Sequence, residues 1–305
     1  TPLSGMASHL ALRFWLQFDE ASGTSLVNSA ETDFLAELRS PSATQWSNGI
    51  SGSAMWFDGT DGYVAILQPS NSVVTGSTFS VCAWVLEETN STKAYPTIVS
   101  DSRWTGGSSY PGYMLRVDEA RDTLAATVGN EAEASTTAAA VWWSERWRGK
   151  WTHVALVQDA GLTRVYVDGC LWEERSNTFA MATNLEVQVG RGHINGSTSG
   201  WHGKIDDVRI YGTALTPAQL EELFDAQGDA NSDGTNNLSA YQLGLDPNSD
   251  MGAVTTEGSL DVQILPTAGW TTNAGPQYLA RSDSANPGGE LHLYVEDDTL
   301  RFLLI

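Results

Sequence analysis

Between Trp151 and Tyr211 the chain runs through three strand-like segments, WTHVALVQDAGLTRVYVDGCLWEE, LEVQVGRG and GWHGKIDDVRIY, each closed by turn residues. The last passes straight into LTPAQLEELF, where the apolar period changes from two to that of a helix. Short runs rich in Val, Ile, Tyr and Trp, punctuated by Gly, Asp and Asn, specify a sandwich or barrel. The rest of the first two-thirds supplies more of the same. HLALRFWLQF places Leu10, Leu12, Phe14, Leu16 and Phe18 on one face and Ala11, Arg13, Trp15 and Gln17 on the other, the alternation of a half-buried strand. AMWFDGTDGYVAIL, TFSVCAWVLEE, PTIVSDSR, GYMLRVDE and TLAATVGN follow the same rule. NEAEASTTAAA, from Asn130 to Ala140, reads as a loop in which Thr and Ser dilute a helical tendency.

One helix is expected, from Thr216. Thr216 suits the N-cap, Pro217 the first helical position, and Gln219 completes a capping box. Leu215, Leu220, Leu223 and Phe224 form its apolar stripe and Gly228 ends it. Such a helix is expected on an edge or end of the sandwich.

Composition narrows the partners. The net charge of −21, with only 16 Lys and Arg, excludes nucleic acid, because phosphate binding needs clustered cations. No run of about 18 apolar residues suggests membrane insertion. Twelve Trp and 29 Gly suit an all-β protein that meets sugars or surfaces. Two cysteines, Cys82 and Cys170, make no disulfide framework and are expected as buried small hydrophobes. A start at Thr1 without a leader fits a processed chain, and the expected location is secreted or cell surface.

The order FDGTDGYV, FSVCAWV, WTHVALV, VYVDG, IDDVRIY and LTPAQLEELF resembles the laminin-G-like branch of the concanavalin A-like lectin/glucanase superfamily, in its bacterial extracellular form. The resemblance runs from Leu10 to Gln227. It implies an all-β, antiparallel jelly-roll β-sandwich with a C-terminal capping helix, binding sugar or protein at a concave face or loop rim. Residues 1–227 are expected to form this domain, 228–252 a calcium-binding linker, and 253–305 an incomplete second β-sandwich module.

The linker reads GDANSDGTNNLSAYQLGLDPNSD. Asp229, Asn231, Asp233, Thr235 and Asn237, with Gly234 at the sharp turn, keep the register of an EF-hand loop. The segment is similar to thrombospondin type 3 and dockerin calcium loops. It departs from them at the twelfth position, where Ala240 replaces the bidentate carboxylate. The expected calcium affinity is weak, on the order of 10⁻⁴–10⁻³ M; a metal-free polar turn is the alternative. Beyond it, GSLDVQILP and the hairpin GGELHLYVEDDTLRFLLI, with Leu291, Leu293 and Val295 opposite Leu300, Phe302 and Leu304, look like the opening of another such module. The chain is therefore expected to be part of a longer multidomain protein.

Catalytic patterns are missing from the sequence. The Glu-x-Asp-x-Glu of the family's glucanases, which would aim alternate carboxylates into one groove, does not occur. Asp206 and Asp207 are adjacent, and in a regular strand would point to opposite faces. The five histidines have no ligand spacing. Aromatics in loops remain: Trp104, Tyr110, Trp142, Trp143, Trp147 and Trp201, where indoles suit stacking on sugar C–H faces, with local packing as the competing reading. The reading is thus a non-catalytic module for a polysaccharide or glycoprotein. An accessory domain of a larger carbohydrate-active enzyme, or an adhesin spacer, is the alternative.

Overall fold

A computed structural model describes residues 11–30, 32–67, 73–74, 76–102, 111–129, 135–177, 186–192 and 199–226, and the backbone of 277–281, 291–296 and 299–304. The chain divides into two compact units, Thr1–Ala253 and Val254–Ile305.

The first unit is two antiparallel sheets. Sheet one runs, in spatial order, β14 (Cys170–Ser176), β13 (Leu162–Val167), β12 (Thr152–Asp159), β7 (Thr78–Glu87), β16 (His202–Tyr211), β5 (Ser53–Asp58) and β4 (Thr44–Asn48), with β1 (Leu12–Leu16) also paired to β16. Sheet two runs β11 (Thr136–Val141), β10 (Thr123–Gly129), β9 (Gly112–Asp118), β8 (Thr97–Ser100), β15 (Val187–Val189), β6 (Tyr63–Leu67), β3 (Leu35–Arg39) and β2 (Ser25–Leu26). Alternate residues fill the space between them: Val81, Ala83 and Val85 with Val154, Leu156 and Ile205 from sheet one, and Leu115, Val117, Leu124, Ala126, Ala138 and Ala140 from sheet two. The expected all-β jelly-roll sandwich is what the chain forms.

Local chemistry sets the hairpins. Asp159 pairs with Leu162 around Ala160–Gly161, and Val167 with Cys170 around Asp168–Gly169. All four central residues have positive φ, the geometry of type I′ turns whose twist matches that of the strands. At Gly169 a Cβ would come to 3.3 Å of Glu221 Cα, so the following helix packs directly over that turn.

That helix, α2 (Pro217–Ala226), carries the expected cap: the Gln219 N–H donates to Thr216 Oγ1 at 3.3 Å and the Thr216 N–H to Gln219 Oε1 at 2.9 Å. Its position differs from the expectation. Leu215, Leu220 and Leu223 pack on Cys82, Ala155, Val157, Tyr166 and Tyr211, the outward residues of sheet one, and Phe224 stacks on Trp84 at 5.5 Å. The helix covers a face, not an edge, because these outward positions are themselves apolar. Burying each leucine there stabilises the fold by about 2 kcal/mol.

Three other expectations change. Within the expected loop Asn130–Ala140, Thr136–Ala140 belong to strand β11; alternating Ala138 and Ala140 face the core, and tertiary pairing with β10 overrides weak propensity. Cys170 is exposed at the tip of a hairpin while Cys82 is buried, and both thiols are free. Leu12 joins the helix side, because the β1 register shifts between Leu12 and Phe14.

The second unit shows a three-stranded antiparallel sheet, β17 (Gln277–Arg281), β18 (Leu291–Glu296) and β19 (Thr299–Leu304). Leu291 pairs with Leu304, Leu293 with Phe302 and Val295 with Leu300, as the alternation requires.

Candidate functional site

The outer face of sheet two holds a groove of about 610 Å³. Its floor is made by outward residues of β10 and β11: Thr123 and Ala125, with Thr137, Ala139 and Val141 beside them. These side chains are small, so the floor leaves room where larger residues would fill it. Register places Arg116 next to Ala125 and Asp118 next to Thr123 on β9. The other wall comes from sheet one: the Ala139 N–H donates to Glu173 Oε2 at 2.7 Å, tying the edge strands β11 and β14 together. Between Leu171 and Glu173, β14 bulges, and Trp172 is the extra residue.

Charge is concentrated on these walls. The Arg116 guanidinium lies 4.7 Å over the Tyr95 ring and 4.0 Å from Asp118. Arg121 Nη1 stands 2.5 Å from Asp118 Oδ2, and Arg175 pairs with Glu173. Among the described residues, Asp118 Oδ1 is buried without a hydrogen-bond donor.

The proposed aromatic contacts separate into three sets. Trp104 and Tyr110 lie outside the described residues. Trp143, Trp147 and Trp201 are core residues, 1%, 8% and 0% exposed, and this corrects their assignment as ligand contacts. A ring with both faces packed has none to offer a sugar. Trp143 opens α1 (Trp143–Arg146) and donates its indole N–H to Glu87 Oε2; the Trp201 indole donates to Lys204 O. Trp142 is the remaining one, 52% exposed and next to groove residue Val141. Its backbone sits at φ 65, rare for a bulky residue. Arg146 lies 5.2 Å from its ring and 5.3 Å from that of Trp172, so the exposed indole stands on a cation–π support.

Behind α1, Arg148 joins Glu87 to Glu119. Burial pushes the Glu119 carboxyl up, and Arg148 opposes that shift while Glu87 adds to it.

Asp206 and Asp207 depart from regular alternation. β16 pairs with β5 up to Ile205 and with β1 from Val208, and its pairing with β7 shifts between Asp206 and Arg209. Asp207 takes φ 48, and Ile205 and Val208 both enter the core, so the two carboxylates share the outer side. Both have structural partners: Asp206 accepts from the Ile50 N–H at 2.9 Å, and Asp207 from the Trp15 indole and Arg209. Burial, with Asp207 beside it, pushes the Asp206 carboxyl up.

The residues Asp229, Asn231, Asp233, Thr235 and Asn237 lie outside the described residues. Among the described residues no group of three or more His, Cys, Asp or Glu is placed to hold a metal ion, and no helix is long and apolar enough to cross a membrane. The groove itself escaped sequence reading. Its signal was the pairing of two small-residue runs, TLAATVG and TTAAAV, whose outward halves lie side by side.

A family model described as the concanavalin A-like lectin/glucanases superfamily matches residues 58–221, more than half of the chain. Similar folds occur in solved structures. The binding domain of Paraclostridial Mosquitocidal Protein 1 has TM-score 0.56 at 12% identity, covering 72% of this chain and 52% of that one. The binding domain of botulinum neurotoxin DC, in complex with SialylT, has TM-score 0.56 at 14% identity over the same shares. The chain thus spans about half the length of these toxin domains. Domain 4 of AbnA, a GH43 extracellular arabinanase from Geobacillus stearothermophilus in complex with arabinotriose, has TM-score 0.53 at 21% identity, covering 70% of this chain and 98% of that one.

Proposed function

Because the chain belongs to the concanavalin A-like lectin/glucanases superfamily, we propose that its first unit is a non-catalytic carbohydrate-binding module whose ligand lies in the groove on the outer face of sheet two. The observation that carries this is the groove's construction: a floor of small residues flanked by guanidinium and carboxylate groups. Both lining carboxylates, Asp118 and Glu173, are held in ion pairs with arginines. That arrangement suits fixed hydrogen-bonding partners for hydroxyls better than a proton-exchanging pair. Trp142, exposed and next in sequence to the groove residue Val141, is our candidate for the stacking surface.

A second reading has its own support. The arabinanase fragment that resembles this chain is one domain of a larger extracellular enzyme, solved with arabinotriose. On that analogy this unit targets a catalytic partner to polysaccharide. Under either reading the protein works outside the cell, and residues 228–252 form a weak calcium loop that stiffens the connection to the second unit.

The test is a broad glycan array followed by calorimetry with each positive glycan. The proposal expects saturable binding that weakens at least tenfold in Trp142→Ala, with no reducing sugar released. Release of reducing sugar would replace binding by catalysis, and a silent array would leave the spacer reading.

A further inference from the structure

We infer that the groove selects a carboxylated saccharide, a uronate or nonulosonate, over its neutral counterpart. This deepens the reading of the groove as a saccharide site and rests on it. The chain has 37 Asp and Glu against 16 Lys and Arg, yet this one groove gathers three arginines and two acids. The sign of the accessible charge is set by depth. Arg121 leaves 75% of its side chain in solvent while its partner Asp118 leaves 3%. Arg175 is 57% exposed and Glu173 27%. Glu173 has both oxygens occupied, one by the Ala139 N–H and one by Arg175. An entering molecule therefore meets guanidinium groups before it meets carboxylates.

The two exposed arginines come from different elements, Arg121 from the turn between β9 and β10 and Arg175 from β14. They flank the small floor from two sides. A guanidinium presents a planar fork that matches a carboxylate, and its hydrogen bonds to an anion are stronger than those to a hydroxyl. In a chain of net charge −21 the general field repels anions, and a local cationic groove reverses that only within about a Debye length of ~8–10 Å. The groove so built admits a saccharide carrying a single carboxylate per residue and disfavours long polyanions.

The experiment uses the full chain and matched pairs: trigalacturonate against its methyl ester, and sialyllactose against lactose, each titrated by calorimetry at low and high salt. The result expected is that at least one acidic member binds, that its neutral counterpart binds about tenfold or more weakly, and that salt weakens the acidic one. Arg121→Gln and Arg175→Gln are each expected to lower the acidic affinity about ten- to a hundredfold. Arg121→Lys, which keeps charge but loses the fork, is expected to fall between. Unchanged thermal midpoints in these variants show that the fold is intact. Neutral members binding as tightly as acidic ones, or binding alone, overturns the inference and leaves the saccharide groove standing. No binding by any member here or on the array overturns the groove reading itself.

Discussion

Trp143 Nε1 lies 2.6 Å from Glu87 Oε2, and neither side chain reaches solvent. Arg148 Nε approaches the same oxygen at 3.1 Å. The Trp143 ring leads through Trp147 and Trp172 to Arg146 and so to the exposed Trp142. The Trp-rich segment is therefore mostly an anchor for one exposed indole.

Replacing Trp143 by Phe removes the closer of two donors to the buried Glu87 Oε2 and leaves Arg148 as the other, which costs about 1–3 kcal/mol. Trp143→Ala adds a cavity and costs about 3–5 kcal/mol. Chemical denaturation measures both. In the folded state Trp143→Phe is expected to bind glycan as the parent does, whereas Trp142→Ala weakens binding with little change in stability.

His153 gives the fold an acid-sensitive element. Burial, with Arg209 nearby, lowers its pKa from 6.5 to about 3. Its folded pKa is depressed, so the neutral form stabilises the fold above pH ~6.5 and that contribution is lost as pH falls from there toward 3. Asp168, whose carboxyl burial pushes up to about 6, acts in the opposite sense: its contribution is present below its unfolded value and lost as pH rises through 6. Asp206 is raised too and acts in the same sense as Asp168. The difference between parent and His153→Gln isolates the histidine. Denaturation midpoints measured from pH 7 to pH 4 are expected to fall less steeply in the variant; parallel profiles would remove His153 as the cause.

The two thiols are expected to differ in reactivity. Cys170 is exposed, while burial pushes the Cys82 thiol up to about 12. A disulfide reagent such as dithionitrobenzoate should label one thiol per chain in buffer and two in denaturant. Labelling in Cys170→Ser should appear only on unfolding.

For the linker, calorimetric titration with calcium is expected to show one weak site, on the order of 10⁻⁴–10⁻³ M. Asp233→Ala should abolish the heat, and Ala240→Glu, which restores the twelfth-position carboxylate, should tighten binding. No heat in either the parent or Ala240→Glu would mark residues 229–240 as a polar turn.

Features set by neighbouring residues were legible in the sequence. The Thr216–Gln219 cap and the Leu291–Leu304 register depend on a few residues and match the expectation, whereas the Asp168–Gly169 turn splits what the sequence presents as one strand-like segment. What could not be read depends on distant partners. The burial of Trp143 needs Glu87, 56 positions away, and the groove wall needs Glu173 to meet Ala139, 34 positions away. The shared side of Asp206 and Asp207 comes from a bulge that pairing with β1, β5 and β7 creates, which no local alternation announces. Small residues such as Ala125 and Thr137 acquire meaning only as neighbours on a floor.

The most direct test of the groove is to fill it. Ala139→Trp puts a large ring on a floor of small residues, at a position that is outward and half-buried. Calorimetric titration with the best glycan from the array is expected to show binding lost in Ala139→Trp while the circular dichroism spectrum and unfolding midpoint stay near those of the parent. Undiminished affinity in a folded Ala139→Trp protein would place the ligand elsewhere and contradict the account.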